Sequence, residues 1–241
     1  MDKTFIKRAT SLSSFNLVTS DFESLKYKKE IQHLFNFYFF PNFDMKNTTD
    51  NIDMNALNRA IDLIKREDQT MFEKLHMYNL KGVGPGEATL YFLCNTAHLG
   101  GGSSAGVDIV ANNGKFEVKA VSVSRNREAY NFKVGGTVPL SNIMSAMDDL
   151  RQEFKLVGNA GNINGSTLAT IKQKAPREYQ KIEGMYADAV YDYFKNHKVI
   201  FINHNQSKGE RGRIEAIKNV QRNDISIDVI TSGTIKPRIK L

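Results

Sequence analysis

The sequence predicts an α/β fold: a mixed central sheet containing a β-hairpin, flanked by helices, with a helical N-terminal extension. Three observations carry this prediction. Apolar residues recur at helical spacing through residues 53–79 and 141–154. Residues 107–123 instead alternate around Asn113-Gly114, a dipeptide that marks tight hairpins. Val199-Ile200-Phe201-Ile202 is a continuous apolar run of the kind a buried strand needs. The organisation that follows is a helical extension over residues 1–80 and a core over 81–241.

Each element has a local reason. Met54, Leu57, Ile61, Ile64, Met71, Leu75 and Tyr78 form one stripe, with a break expected near Asp68. Lys81-Gly-Val-Gly-Pro-Gly86 ends that element and starts another, and Glu87 opens a helix whose face carries Leu90, Leu93 and Cys94. Val107–Val110 and Lys115–Val123 read as the two hairpin strands, with a third over Tyr130–Val134. Ile143, Met144, Met147, Leu150 and Phe154 form the stripe of the next helix. Thr167–Asn196 reads as mostly helix, interrupted at Pro176, because proline removes a backbone donor. Beyond Arg213 the chain alternates in two runs around Asn223-Asp224, the pattern of strands.

The bulk properties narrow the class. A chain of 241 residues, 41% hydrophobic and 24% charged, can bury a core without disulfides or structural metals. The single cysteine, Cys94, excludes an internal disulfide and a multi-cysteine zinc site. No signal-peptide pattern opens the chain and no run is apolar enough to span a membrane, so a cytoplasmic protein is expected. The net charge of +7 points toward a polyanionic partner.

The chemistry concentrates in the hairpin. With Asn113-Gly114 as the turn, Asn112 faces Lys115, Val110 faces Glu117 and Asp108 faces Lys119. Opposed residues share a sheet face, and so do residues two apart, so Asp108, Glu117 and Lys119 converge. A four-residue turn keeps the convergence and sets Asp108 opposite Glu117, whereas a simple three-residue turn breaks it. The other face receives Val107, Ile109, Phe116 and Val118, as a core requires. Two neighbouring carboxylates repel unless one takes a proton or a cation lies between them. A hard divalent ion such as Mg²⁺ prefers those oxygen ligands, and a lysine beside it can position water or neutralise charge on a phosphoryl transition state. The alternative is a solvated strand face bearing Glu-x-Lys.

Asp108, eight intervening residues and Glu117-Val118-Lys119 together resemble the Asp…Glu-x-Lys signature of the PD-(D/E)XK nuclease superfamily, the restriction-endonuclease-like fold. Glu87, opening its helix in Gly86-Glu87-Ala88, resembles the acidic helix residue that many members place near the metal. The resemblance implies a Mg²⁺-dependent DNA endonuclease, with Mn²⁺ as a substitute. It implies that Asp108, Glu117 and the Val118 carbonyl bind the metal, that Glu87 joins directly or through water, and that Lys119 orients the attacking water. Val107 stands where the namesake motif has proline.

Several other residues are candidates for DNA contact. Ser103 and Ser104 follow three glycines that would let a DNA backbone approach closely. Arg125 and Arg127 could clamp phosphates, or else protect an edge strand with charge. Lys208, Arg211 and Arg213 form a basic loop. Double-strand cutters often work as symmetric pairs, so a homodimer is a reasonable expectation. The rival reading is a non-catalytic nucleic-acid-binding or virion-assembly protein that retains a nuclease-like scaffold.

Overall fold

The structure, a computed structural model, describes residues 54–76, 84, 86–87, 98–99, 107–111, 114–123, 129–131, 141–156, 165–205, 210–230 and 234–240, besides Ser24, Lys26 and Lys29. In chain order the elements are α1 (Met54–His76), β1 (His98–Leu99), β2 (Ile109–Ala111), β3 (Gly114–Val123), β4 (Ala129–Asn131), α2 (Ser141–Glu153), α3 (Gly165–Lys174), α4 (Pro176–Phe194), β5 (Lys198–Asn203), β6 (Ile214–Lys218), β7 (Ile225–Ile230) and β8 (Thr234–Lys240). The class is mixed α/β. No helix among the described residues is long and apolar enough to cross a membrane.

The described elements fall into two compact units. The first holds α1, β1, β2, β5, β6 and β3 as far as Val121. β1, β2 and β3 are antiparallel, β3 and β5 run parallel, and β6 returns antiparallel to β5. Helix α1 thus belongs to the same unit as the hairpin strands, across the residue-80 boundary expected from composition. The second unit holds the antiparallel strands β4, β8 and β7 with α2, α3 and α4. Ser122 and Val123, the last residues of β3, pair there with β4.

Strand β3 pairs with β2 over Gly114–Phe116 and, on its other side, with β5 over Phe116–Val121. Val118 pairs with Ile200 and Ala120 with Ile202 on one face, while Glu117 pairs with Val199 and Lys119 with Phe201 on the other. All six residues of β5 are buried, as its apolar run demands. The hairpin closes at Ala111 and Gly114 rather than around Asn113-Gly114, so Val110 faces Lys115, not Glu117. Moving the turn by one residue moves the register by two, so every side chain keeps its face.

Other elements lie close to where periodicity puts them. Asp68 breaks α1 with φ −157° and ψ 99°. Ala175 separates α3 from α4, and Pro176 sits in the first turn of α4, where its missing N–H costs nothing. Tyr179, Ile182, Tyr186, Val190 and Phe194 form the buried stripe of α4, the helix that packs on β7. The C-terminal region forms three strands instead of the two runs expected, because a tight 3₁₀ turn over Arg222–Asp224 and a second reversal after Ile230 divide it.

Helix α1 is clipped to β6 by one side chain. Asn58 Nδ2 donates to the Ile214 carbonyl and Asn58 Oδ1 accepts from the Ile214 N–H, both at 3.0 Å and both buried. The amide supplies the donor and acceptor that a neighbouring strand would otherwise offer. Farther along, Phe72 stacks on His76 with centroids 6.2 Å apart, and the chain near Gly212 closes over them. Gly212 has φ +82°, and a Cβ there would lie 2.4 Å from Phe72 Cζ, so both conformation and space require glycine. Burial, followed by the charges of His204, Arg211 and Lys65, pushes the His76 imidazole down to about 3.

Two outcomes follow. Asn58→Ala strands a buried N–H and C=O, and should cost about 2–4 kcal/mol in urea unfolding, more than Asn58→Asp, which keeps the acceptor. His76 protonates near 6.5 in the unfolded chain but only near 3 in the folded one. Its contribution is therefore complete above pH 6.5 and is lost as pH falls towards 3, at up to about 1.4 kcal/mol per pH unit. Denaturation midpoints of the wild type and His76→Gln across that range should diverge with this slope, whereas parallel curves would mean a solvated imidazole.

Candidate metal centre on the β2–β3 hairpin

The hairpin ladder ends at the Ile109–Phe116 pair, and Asp108 lies just before it. The Asp108 N–H donates to the Phe116 carbonyl at 2.9 Å. Its carboxylate then reaches past the end of β2 and accepts from the Val118 N–H at 2.8 Å. The carboxylate thereby takes the next rung of the ladder. Backbone groups alternate along a strand, so Val118 turns its carbonyl to the same side as the Phe116 carbonyl, toward Asp108.

Glu117 is 1% exposed, which removes the solvated-face reading of Glu-x-Lys. A carboxylate withdrawn this far from water needs a compensating charge. Lys119 supplies it: two residues on and on the same face, its Nζ donates to Glu117 Oε1. Glu117 and Lys119 thus pair on one face of β3, while Asp108, just before β2, is tied to the Phe116 and Val118 backbone.

His197 joins this group. The parallel register of β3 and β5 carries it to the level of Lys115, on the face that bears Glu117 and Lys119. Burial pulls its pKa down first, the Glu117 carboxylate opposes that, and Lys119 and Lys115 add to the lowering. Sequence reasoning sees only a histidine beside a buried strand, because nothing local announces which strand β5 will pair with.

Glu87 is buried too, but its Oε1 is turned back to accept from the Gly84 N–H at 2.6 Å. A Cβ on Gly84 would sit 2.7 Å from that oxygen, so glycine permits the contact. Gly86, next to Glu87, donates to the His76 carbonyl at 3.0 Å and ties this segment to the end of α1. Among the described residues, no group of three or more His, Cys, Asp or Glu side chains could hold a metal ion. The centre as it stands is two carboxylates, one backbone carbonyl and one ammonium. These hard oxygen donors suit Mg²⁺ or Mn²⁺, with Asp108, Glu117 and the Val118 carbonyl as the set that fits.

The expected DNA contacts divide. Ser103, Ser104, Arg125, Arg127 and Lys208 lie outside the described residues. Arg213 reaches Asp62 on α1 only at 3.9 Å, both side chains being largely exposed. Arg211 points its guanidinium inward, with Nε and Nη2 buried. Comparisons with protein-family models, curated proteins and solved structures give no match.

The ion pair makes a specific forecast. Lys119→Ala leaves Glu117 buried without its ammonium and should destabilise the protein by about 3–5 kcal/mol. If a divalent cation can take the ammonium's place, millimolar Mg²⁺ should restore much of the melting temperature of Lys119→Ala. It should leave Lys119→Ala/Glu117→Gln unmoved. Equal Mg²⁺ responses of the two variants would separate Glu117 from metal binding.

Proposed function

We propose that this chain is a Mg²⁺-dependent endonuclease that hydrolyses DNA phosphodiester bonds, with Mn²⁺ able to substitute. The observation that carries the reading is the buried Glu117 carboxylate paired with Lys119, with the Asp108 carboxylate held at the N–H of the intervening Val118. This is also the residue set through which the chain resembles the PD-(D/E)XK nucleases. A bound Mg²⁺ would polarise the phosphate and lower the pKa of a coordinated water. Asp108, Glu117 and the Val118 carbonyl would hold it, while Glu87 would have to leave the Gly84 N–H to take part. Lys119, which here pairs with Glu117, would supply the positive charge that orients the water or neutralises charge in the transition state. The net charge of +7 favours a polyanionic substrate, and action on duplex DNA would favour a homodimer in the cytoplasm.

One observation favours the second reading, a nucleic-acid-binding or virion-assembly protein on a nuclease-like scaffold. Each acidic residue already has a local contact: Asp108 with Val118, Glu117 with Lys119 and Glu87 with Gly84. Plasmid incubation with Mg²⁺ or Mn²⁺ and an EDTA control decides between the two. The enzyme reading expects cleavage abolished by EDTA and reduced about 10²-fold or more in Asp108→Asn and Lys119→Ala. Salt-sensitive DNA binding without cleavage would favour the scaffold, and binding that is flat in salt would remove the DNA partner altogether.

A further inference from the structure

A second polar cluster lies in the same unit, at the neck of the β5–β6 hairpin. The Gly212 N–H donates to the Asn203 carbonyl, and the Asn203 N–H to the Arg213 carbonyl, each at 2.8 Å. These bonds close the neck and bring the two ends of the hairpin loop, His204 and Arg211, face to face. His204 is anchored by its own N–H, which donates to the Val121 carbonyl at 2.9 Å. His76 arrives from the end of α1, its ring centroid 6.0 Å from that of His204. The backbone at Gly212 lies against His76, where a Cβ would be 3.5 Å from Nδ1.

These three residues share an unusual state. His76 Nε2, His204 Nδ1, Arg211 Nε and Arg211 Nη2 are all buried, and none has a hydrogen-bond partner among the described residues. His76 is 1% exposed. Buried donors left in this way cost free energy each, and a guanidinium costs most. The sign of the missing partner follows from charge. Arg211 is permanently cationic, the Lys65 charge also acts on His76, and none of the three residues is acidic. Two carboxylates border the neck, and both meet Asn203 Nδ2: Glu215 at 2.7 Å and Glu210 at 3.4 Å. A metal cation would be repelled. An oxyanion would accept from the guanidinium edge and from both imidazoles.

We propose that His76, His204 and Arg211 form a binding pocket for a tetrahedral oxyanion of the phosphate class. Arg211 presents Nε and Nη2 as a planar fork that matches two phosphate oxygens. The imidazoles, kept neutral by burial and by the Arg211 charge, each offer one N–H without adding charge of their own. The pocket stands apart from Asp108 and Glu117 in residues and in chemistry, and it requires no metal.

The test is thermal melting and calorimetry of the full chain in EDTA, with inorganic phosphate, chloride at matched ionic strength, and short oligonucleotides with a 5′-phosphate or a 5′-hydroxyl. Phosphate should raise the melting temperature by a few degrees at about ten times its Kd, and chloride should not. Arg211→Gln should weaken phosphate binding about 10- to 100-fold. Should Arg211→Gln fail to fold, His204→Gln provides the same comparison, and histidine ¹⁵N resonances of the wild type should shift on adding phosphate. A preference for the 5′-phosphorylated strand identifies a nucleic-acid end as the source, and equal response to both strands identifies free phosphate. Wild-type protein that neither stabilises nor shifts its histidine resonances in phosphate overturns the proposal. So does an affinity unchanged in both variants.

Discussion

A carboxylate that leaves water has to be compensated where it lands, and in this protein Glu117 is that carboxylate. It lies on β3, where it pairs with Val199 of β5, and it is 1% exposed. The rest of the hairpin accommodates this. Lys119 has to stand two residues on, because only the same face can bring an ammonium within reach. Asp108 has to stop the β2 ladder with its side chain, which leaves the Val118 carbonyl facing it. Apolar neighbours alone could have filled that space, and usually with greater stability. The acid and its lysine, two residues apart on one strand, are therefore not explained by stability alone.

The parallel pairing of β3 with β5 is the second constraint. It brings His197 to the level of Lys115, beside the acid–base pair, and continues β5 to the hairpin neck where His204 and Arg211 meet. Both polar clusters thus depend on the same strand. One sets a buried carboxylate beside an ammonium, and the other gathers ring and guanidinium nitrogens that have no hydrogen-bond partner among the described residues. Asn58 and His76, near opposite ends of α1, join that helix to both ends of the β6 approach, through the Ile214 backbone and the Gly212 turn.

Much of this was legible locally. Helical spacing located α1, including its break at Asp68, and also α2 and the division of α3 from α4 by Pro176. Alternation placed Glu117 and Lys119 on one face, where they pair, and the misplaced turn did not change this because faces depend on parity, not on the turn residue. In the C-terminal region the division at Asn223-Asp224 was legible, whereas the reversal after Ile230 was not.

The sequence by itself determined which residues could form strands and helices and which polar groups would lie on a common face, because those properties depend on neighbours within a few positions. Tertiary structure alone decided that Glu117 is buried, that Glu87 turns to Gly84, that His197 stands beside the acid–base pair, and that His76, His204 and Arg211 meet. Each of these depends on pairings between segments distant in the chain. Periodicity records whether a side chain faces inward, but not which remote strand or helix end it will meet there.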